Sequence, residues 1–314
     1  VWTGTARSAN RYAGVKKERT LETGYLEYGQ MMAMVRPTGR KVWFLADPVE
    51  DNPNRSWNDY KLNYECTIVA SLLWPDVARY EVMPWPSRIF QGAYPKVDMD
   101  KASGEREGIP AEYATQILTV INALNEMEQP EVTWDTGPRG VGVVVSDTLM
   151  FQRVNPSPSD PDLGHFFGLA MPLLKAGLGV EPVQLENVLQ PGTLEPYKVL
   201  LLTYEGQKPL KPEYHDALVK WVKAGGGLIL VDDGSDPFNG VRAWWNDEAK
   251  NATKPYEDLL KRLGATDEAG KQPQKVGEGY VRYVADKPST YTQSPKGAEK
   301  VRTLVKEMLA AVLR

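Results

Sequence analysis

From residue 141 onward, short apolar runs alternate with amphipathic stretches. "VGVVVSD" (141–147), "EPVQLEN" (181–187), "YKVLLLTY" (197–204), "GLILVDD" (227–233) and "GYVRYVA" (279–285) are rich in aliphatic residues. Such runs read as strands buried on both faces. Helices fall between and after them. "DLGHFFGLAMPLLKAG" (162–177) is one, with Pro172 marking a kink or a short break. "KPEYHDALVKWVKAGGG" (211–227) is another, with Pro212 near its first turn and Gly225 near its C-terminal cap. "KPYEDLLKRLG" (254–264) predicts a short helix ending at Gly264. In the final helix, 296–313, Val301, Leu304, Val305, Met308, Leu309 and Val312 share one stripe. The alternation predicts an α/β fold with a parallel sheet covered on both faces.

Before residue 130 the strands are sparser. "VWTGTA" (1–6), "KVWFLAD" (41–47) and "RYEVMPW" (79–85) are the candidates. Helices are expected over 20–34, over 57–73 and over 109–127. Ser56 can cap the second, with Asp59 reciprocating. The third carries Ile109, Tyr113, Ile117, Val120, Ile121 and Leu124 on one stripe. Three parallel strands cannot close a barrel and make a poor open sheet. The pattern fits the last three βα units of a (β/α)8 barrel whose first five lie outside this chain. A stretch rich in Pro, Gly and acids around 129–139 reads as the linker between the regions. The chain opens on "VWTGTAR" without Met or signal peptide, so a fragment or processed product is expected, and its compartment is not readable.

Composition narrows the function classes. The net charge of −4 over 314 residues argues against a general nucleic-acid binder. No apolar run approaches the roughly 18 residues needed to span a bilayer, so no membrane partner is expected. The single cysteine, Cys66, allows no internal disulfide and reads as a small apolar residue on a helix. With His165 and His215 the only histidines, far apart and without a Cys beside them, no metal or other cofactor is implied. Both histidines read as structural or surface residues. Nine tryptophans and 15 tyrosines suit either a core or a sugar-binding cleft.

The densest chemistry lies in "KVWFLADPVEDNP" (41–53), where an apolar run ends in Asp47, Glu50 and Asp51. It reads either as a strand delivering acids to a rim or as a loop in which Asp47 and Asp51 hold turns. Trp85, fixed between two prolines, is a sugar platform or a packed aromatic, and Trp43 lies on the preceding strand. Glu81 reads as a paired charge in its strand or a substrate contact, and Arg7 as a salt-bridge partner or a hydroxyl donor. "AGGGLIL" precedes a strand, whereas a phosphate loop follows one and opens a helix. After 197–203 comes Tyr204-Glu205-Gly206, with no cysteine, which excludes thiol-dependent amidotransferase chemistry. "DDGSDP" (232–237), at a strand end, is the best feature for a small-molecule enzyme using the sheet's switch point; a solvated acidic loop explains it equally.

The order of the regions, with "GGGLILVDDGS" (225–235) after an amphipathic helix and "KVGEGYVRYVADKPS" (275–289) near the end, resembles the family-42 β-galactosidases and related glycoside hydrolases. That resemblance implies a TIM-barrel catalytic domain ending in residues 1–130. It implies for 140–314 a flavodoxin-like, glutamine-amidotransferase-like domain that lacks the catalytic Cys and assists oligomerisation. The implied function is hydrolysis of O-glycosidic bonds by paired carboxylates. If 41–47 is the seventh strand, Asp47 takes the nucleophile's place, where the family usually has Glu, with Glu50 and Asp51 as alternates. The acid/base partner would come from a fourth strand outside this chain, so the chain alone is expected to be inactive. Arg7, Trp43, Glu81 and Trp85 become candidate carbohydrate contacts. The rival reading is a non-catalytic carbohydrate-binding or assembly protein with a degenerate barrel.

Overall fold

A computed structural model describes residues 21–45, 56–74, 76–77, 79–82, 86–97, 104–126, 140–152, 163–247 and 253–314. They fall into two compact units that part between Asp135 and Thr136. The acids Asp47, Glu50 and Asp51, together with Arg7, Trp85 and the 1–6 strand, lie outside the described residues.

In the first unit, α1 (Leu21–Val35) leads to β1 (Trp43–Leu45), and α2 (Trp57–Leu72) to β2 (Arg79–Glu81). After β2 come a short helix α3 (Pro86–Phe90), a small hairpin of β3 (Tyr94–Pro95) and β4 (Arg106–Glu107), and α4 (Ala111–Asn125). Ser56 caps α2 as expected, its hydroxyl accepting the Asp59 N–H at 3.2 Å. β1 and β2 pair in parallel with Phe44 opposite Tyr80 and Leu45 opposite Glu81. Phe44 is fully buried and packs with Tyr28 and Met32 of α1 and Ala70 of α2. Tyr113 and Ile117 are the buried centre of the α4 stripe, and Ile109, Val120, Ile121 and Leu124 flank it against Tyr60, Tyr64 and Ile68. The tyrosines of this unit are therefore largely core: Tyr60 meets Tyr94 edge-on at 5.2 Å, and Tyr28 lies 4.1 Å from Phe44. Cys66 is only half-buried, and burial pushes its thiol pKa up.

The second unit holds a six-stranded sheet. Its strands are β5 (Val141–Val145), β6 (Glu181–Gln184), β7 (Val199–Leu202), β8 (Gly227–Val231), β9 (Gln274–Val276) and β10 (Gly279–Val284). Their order is β6-β5-β7-β8-β10-β9, parallel except for the antiparallel edge strand β9. The helices are α5 (His165–Leu174), α6 (Glu213–Lys223), α7 (Pro255–Leu263), α8 (Ser289–Thr292) and α9 (Pro295–Val312). α6 and α7 cover one face, where Leu200, Leu202, Leu228, Leu230 and Val281 meet Leu218, Val222, Leu259 and Leu263. α5, α8 and α9 pack together, with α5 against β5 and α9 against β8. α5 continues through Pro172 and ends two residues later, so the proline does not break it. β9 was not expected: the two-residue turn Gly277-Glu278 joins it to β10, with Gly277 at φ 63°, where glycine carries no steric cost.

Candidate functional site

Alternation along β1 puts Phe44 on the helix-covered face of the strand pair and Trp43 and Leu45 on the other. Trp43 is 55% exposed on that face, and the Arg79 guanidinium lies 5.6 Å from its ring centre, an attractive arrangement of cation and π face. Glu81 is exposed at the end of β2, opposite Leu45. The strand pair thus brings Trp43, Arg79 and Glu81 to one surface. Trp43 sits at the start of its strand, away from the carboxyl end where a barrel's active site is built.

The carboxyl end of the larger sheet is far more elaborate. The chain leaves β5 for β6 by way of α5, on one face, and leaves β7 for β8 by way of α6, on the other. The strand order therefore reverses between β5 and β7, where open α/β sheets usually bind ligands. Here the crevice is filled by Gln207, which is fully buried. Its carbonyl accepts the Ser146 N–H at 2.8 Å, and its amide donates to Val144 O at 3.1 Å and Thr203 O at 2.8 Å. Beside it the Ser146 hydroxyl donates to Glu186 Oε1 at 2.6 Å, and Gln184 donates to Asp147 and Glu186 at 2.7 and 2.5 Å.

The next residue, Lys208, is also buried. Its ammonium donates to Tyr204 O at 2.5 Å, Gln207 O at 3.3 Å and Asp236 Oδ2 at 2.8 Å, which uses all three protons. Burial alone would raise the Asp236 carboxyl; the Lys208 ammonium and the Gly206 N–H outweigh it and hold the pKa below the ordinary value. Asp232, at the end of β8, has no such cation in contact among the described residues; the Lys208 charge reaches it only at a distance. It accepts the N–H of Tyr204 at 3.1 Å and of Gly234 at 2.7 Å, and burial pushes its pKa up to about 6. A folded pKa above the unfolded one stabilises below about pH 4, and that stability is lost as pH rises through 6. We predict that wild-type stability contains a fall of about 3 kcal/mol between those limits, and that Asp232→Asn removes that slope in a pH series of urea unfolding curves. An unchanged slope in the variant would assign it to other groups.

Behind Tyr204 runs a second buried chain. His215 Nδ1 lies 2.8 Å from Asp258 Oδ2, and its Nε2 lies 2.7 Å from the Tyr204 hydroxyl. Burial lowers the His215 pKa despite Asp258. The ring is then neutral; it donates from Nδ1 to the carboxylate and accepts the Tyr204 O–H at Nε2. Arg262 donates to Asp258 at 2.6 Å and to Asp216 at 2.5 Å, tying α7 to α6. This chain joins the end of β7 to both helices and ties their packing together.

The turn after β7 completes the edge. Gly206 has φ 74°, and a Cβ there would fall 2.5 Å from His165 Nδ1. His165 itself has φ 40°, and Leu163, two residues earlier, has φ 49°. Such backbone in non-glycine residues costs of order 1–3 kcal/mol each. His165 Nδ1 lies 3.7 Å from Glu205 Oε2. The structure therefore places both histidines within the fold and neither on an open surface. Of these edge residues only "DDGSDP" and Tyr204-Glu205-Gly206 stand out in the sequence. Nothing in the sequence singles out Gln207 and Lys208. Among the described residues no cluster of His, Cys, Asp or Glu is placed to hold a metal ion, and no helix is long and apolar enough to cross a membrane.

No family model and no characterised sequence matches this chain. Solved structures do. A β-galactosidase from Rahnella sp. R3 superposes with a TM-score of 0.50 over 92% of this chain and 48% of that one, at 10% identity. An exo-β-1,4-mannosidase from Opitutaceae bacterium strain TAV5 gives 0.50 over 93% and 57%, at 12% identity. The chain is similar in fold to glycoside hydrolases. What it shares with them at this identity is the fold, and it spans about half their length.

Proposed function

We propose that the chain is the C-terminal part of a carbohydrate-active hydrolase: the last units of a (β/α)8 barrel followed by a flavodoxin-like, glutamine-amidotransferase-like domain that serves assembly. The observation that carries this reading is a fold likeness extending over more than nine-tenths of the chain, through both units, to two enzymes named for sugars. The parallel pairing of β1 and β2, with helices on one face and Trp43, Arg79 and Glu81 on the other, supports it. In a barrel that second face points inward, against strands supplied by the rest of the protein. The order β6-β5-β7-β8-β10 in the second unit corresponds to the flavodoxin-like order 2-1-3-4-5.

Chemistry is assigned to the first unit because the second has closed its own site. Gln207 fills the switch-point crevice, and Tyr204-Glu205-Gly206 offers no thiol where an amidotransferase needs one. The substrate is a glycoside, cleaved between two carboxyl groups, one from the 47–51 segment and one from outside this chain. The test is turnover of a panel of aryl β-galactosides and β-mannosides by the full-length protein. Release of the aryl group from at least one of them is the expected result; sugar binding without turnover on any would move the chain to the non-catalytic, carbohydrate-binding reading.

A further inference from the structure

The hydrogen-bonded network behind β7 holds the parts of a redox relay. The Tyr204 phenol is fully buried, and its hydroxyl donates to His215 Nε2 at 2.7 Å. Burial and the charges of Asp258 and Asp232 push the phenol's pKa well up, so it keeps its proton. Removing an electron from a phenol makes that proton strongly acidic, and in a buried place it must leave at the same moment to a base already in contact. His215 is that base: its ring is neutral, Nδ1 is anchored to Asp258 at 2.8 Å, and Nε2 faces the hydroxyl. Tyr291 and Tyr283 donate instead to the Asp286 carboxylate at 3.0 Å and the Asp232 carbonyl at 2.9 Å, both weaker bases than an imidazole.

Aromatic rings continue this network outward. His215 meets Trp244 edge-on with ring centres 4.9 Å apart, and the Tyr204 and His215 centres lie 5.6 Å apart. Trp244 is only half-buried, whereas Tyr204 is sealed from water. The two ends differ in electrostatics as well. The Arg262 guanidinium lies 5.8 Å from the Trp244 ring centre. A cation against the π face stabilises the intact indole and disfavours its oxidised, positively charged form. At the inner end the Asp258 carboxylate, its pKa held at about 2, stays ionised and outweighs Arg262 in favouring a protonated His215. Both charges drive an electron vacancy inward, from the indole to the phenol.

We propose that Trp244, His215 and Tyr204 form a relay that carries oxidising equivalents from the surface to a buried tyrosyl radical. A diffusing one-electron oxidant, of the oxygen-radical class, takes an electron from Trp244 and is itself reduced. Tyr204 returns an electron to the oxidised indole while its hydroxyl proton passes to His215 Nε2, leaving a neutral tyrosyl radical beside an imidazolium paired with Asp258. A small reductant of the thiol or ascorbate class supplies the electron that restores the phenol, and the proton moves back. The relay does not rest on the carbohydrate chemistry assigned to the first unit. Its test is photo-oxidation of the full chain with ruthenium tris-bipyridine and persulfate, followed by rapid freezing and electron paramagnetic resonance. The wild type is expected to give a neutral tyrosyl signal, and Tyr204→Phe to lose most of it. Trp244→Phe, which leaves the Tyr204–His215 hydrogen bond in place, is expected to slow formation of the signal and lower its yield. His215→Gln, which keeps a polar partner but removes the base, is expected to suppress it with Tyr204 still present. Circular dichroism of each variant checks that the fold persists. No tyrosyl signal in the wild type, the same signal in Tyr204→Phe, or a rate and yield unchanged in Trp244→Phe would overturn the proposal.

Discussion

Asp47→Asn in the full-length protein is expected to lower turnover of its best aryl glycoside by about 10²- to 10⁴-fold, the range for losing a group that acts in the transition state. The expectation rests on "KVWFLADPVED", where β1 leads into three carboxyl groups, and on the hydrolase reading of the chain. Hydrolysis of a glycosidic bond needs one carboxyl as acid and another as nucleophile or base, and removing either leaves the transition-state charge unsupported. Asparagine keeps the size of the side chain, so the urea midpoint should stay close to that of the wild type. Glu50→Gln and Asp51→Asn, measured in parallel, separate the three carboxyls. Loss confined to Asp47 assigns it the catalytic role. Full activity in Asp47→Asn with loss in one of the others transfers the role to that residue. Full activity in all three makes the segment a structural acidic loop.

The second large effect is expected at Gln207. Gln207→Ala removes the partners of the Ser146 N–H, the Val144 carbonyl and the Thr203 carbonyl at once. A buried polar group left without a partner costs about 1–3 kcal/mol. Three of them, partly rescued by water entering the space, give an expected loss of about 3–5 kcal/mol. That is a large share of the stability of an ordinary domain. Equilibrium unfolding in urea reads it directly. A loss below about 1 kcal/mol would mean that solvent already reaches the crevice. The switch point would then be open to a ligand, and the argument that confines chemistry to the first unit would fail.

Much of the second unit was legible because its strands are buried on both faces. Continuous aliphatic runs such as "VGVVV" and "VLLL" can satisfy no other arrangement, and they appear as β5 and β7. Edge strands lack that mark. β9 is "QKV", two-thirds polar, and its existence depends on pairing with β10. In the first unit the small β3–β4 hairpin escaped notice for the same reason, since two residues per strand carry no period. The seven longer helices were found to within a few residues, because their apolar stripes repeat over two turns or more; the short α3 and α8 were not expected.

The site divides along a similar line. His215 stands three residues before Leu218 and seven before Val222, on the buried stripe of α6, so its burial could be read from spacing. Its partner Asp258 is 43 residues away and could not be read. Gln207 and Lys208 lie in "YEGQKPL", a stretch whose composition says exposed loop. They are buried because β5 and the 232–236 turn are brought against them.

The sequence by itself determined the α/β class, the position of the central strands and the lack of a cysteine in the turn after β7, because each follows from local residue types and their period. Tertiary structure alone decided the strand order, the closing of the switch-point crevice by a glutamine, and the pairing of Lys208 with Asp236 and of His215 with Asp258. Those depend on contacts between residues tens of positions apart, where burial turns an ordinary polar side chain into one that must be satisfied.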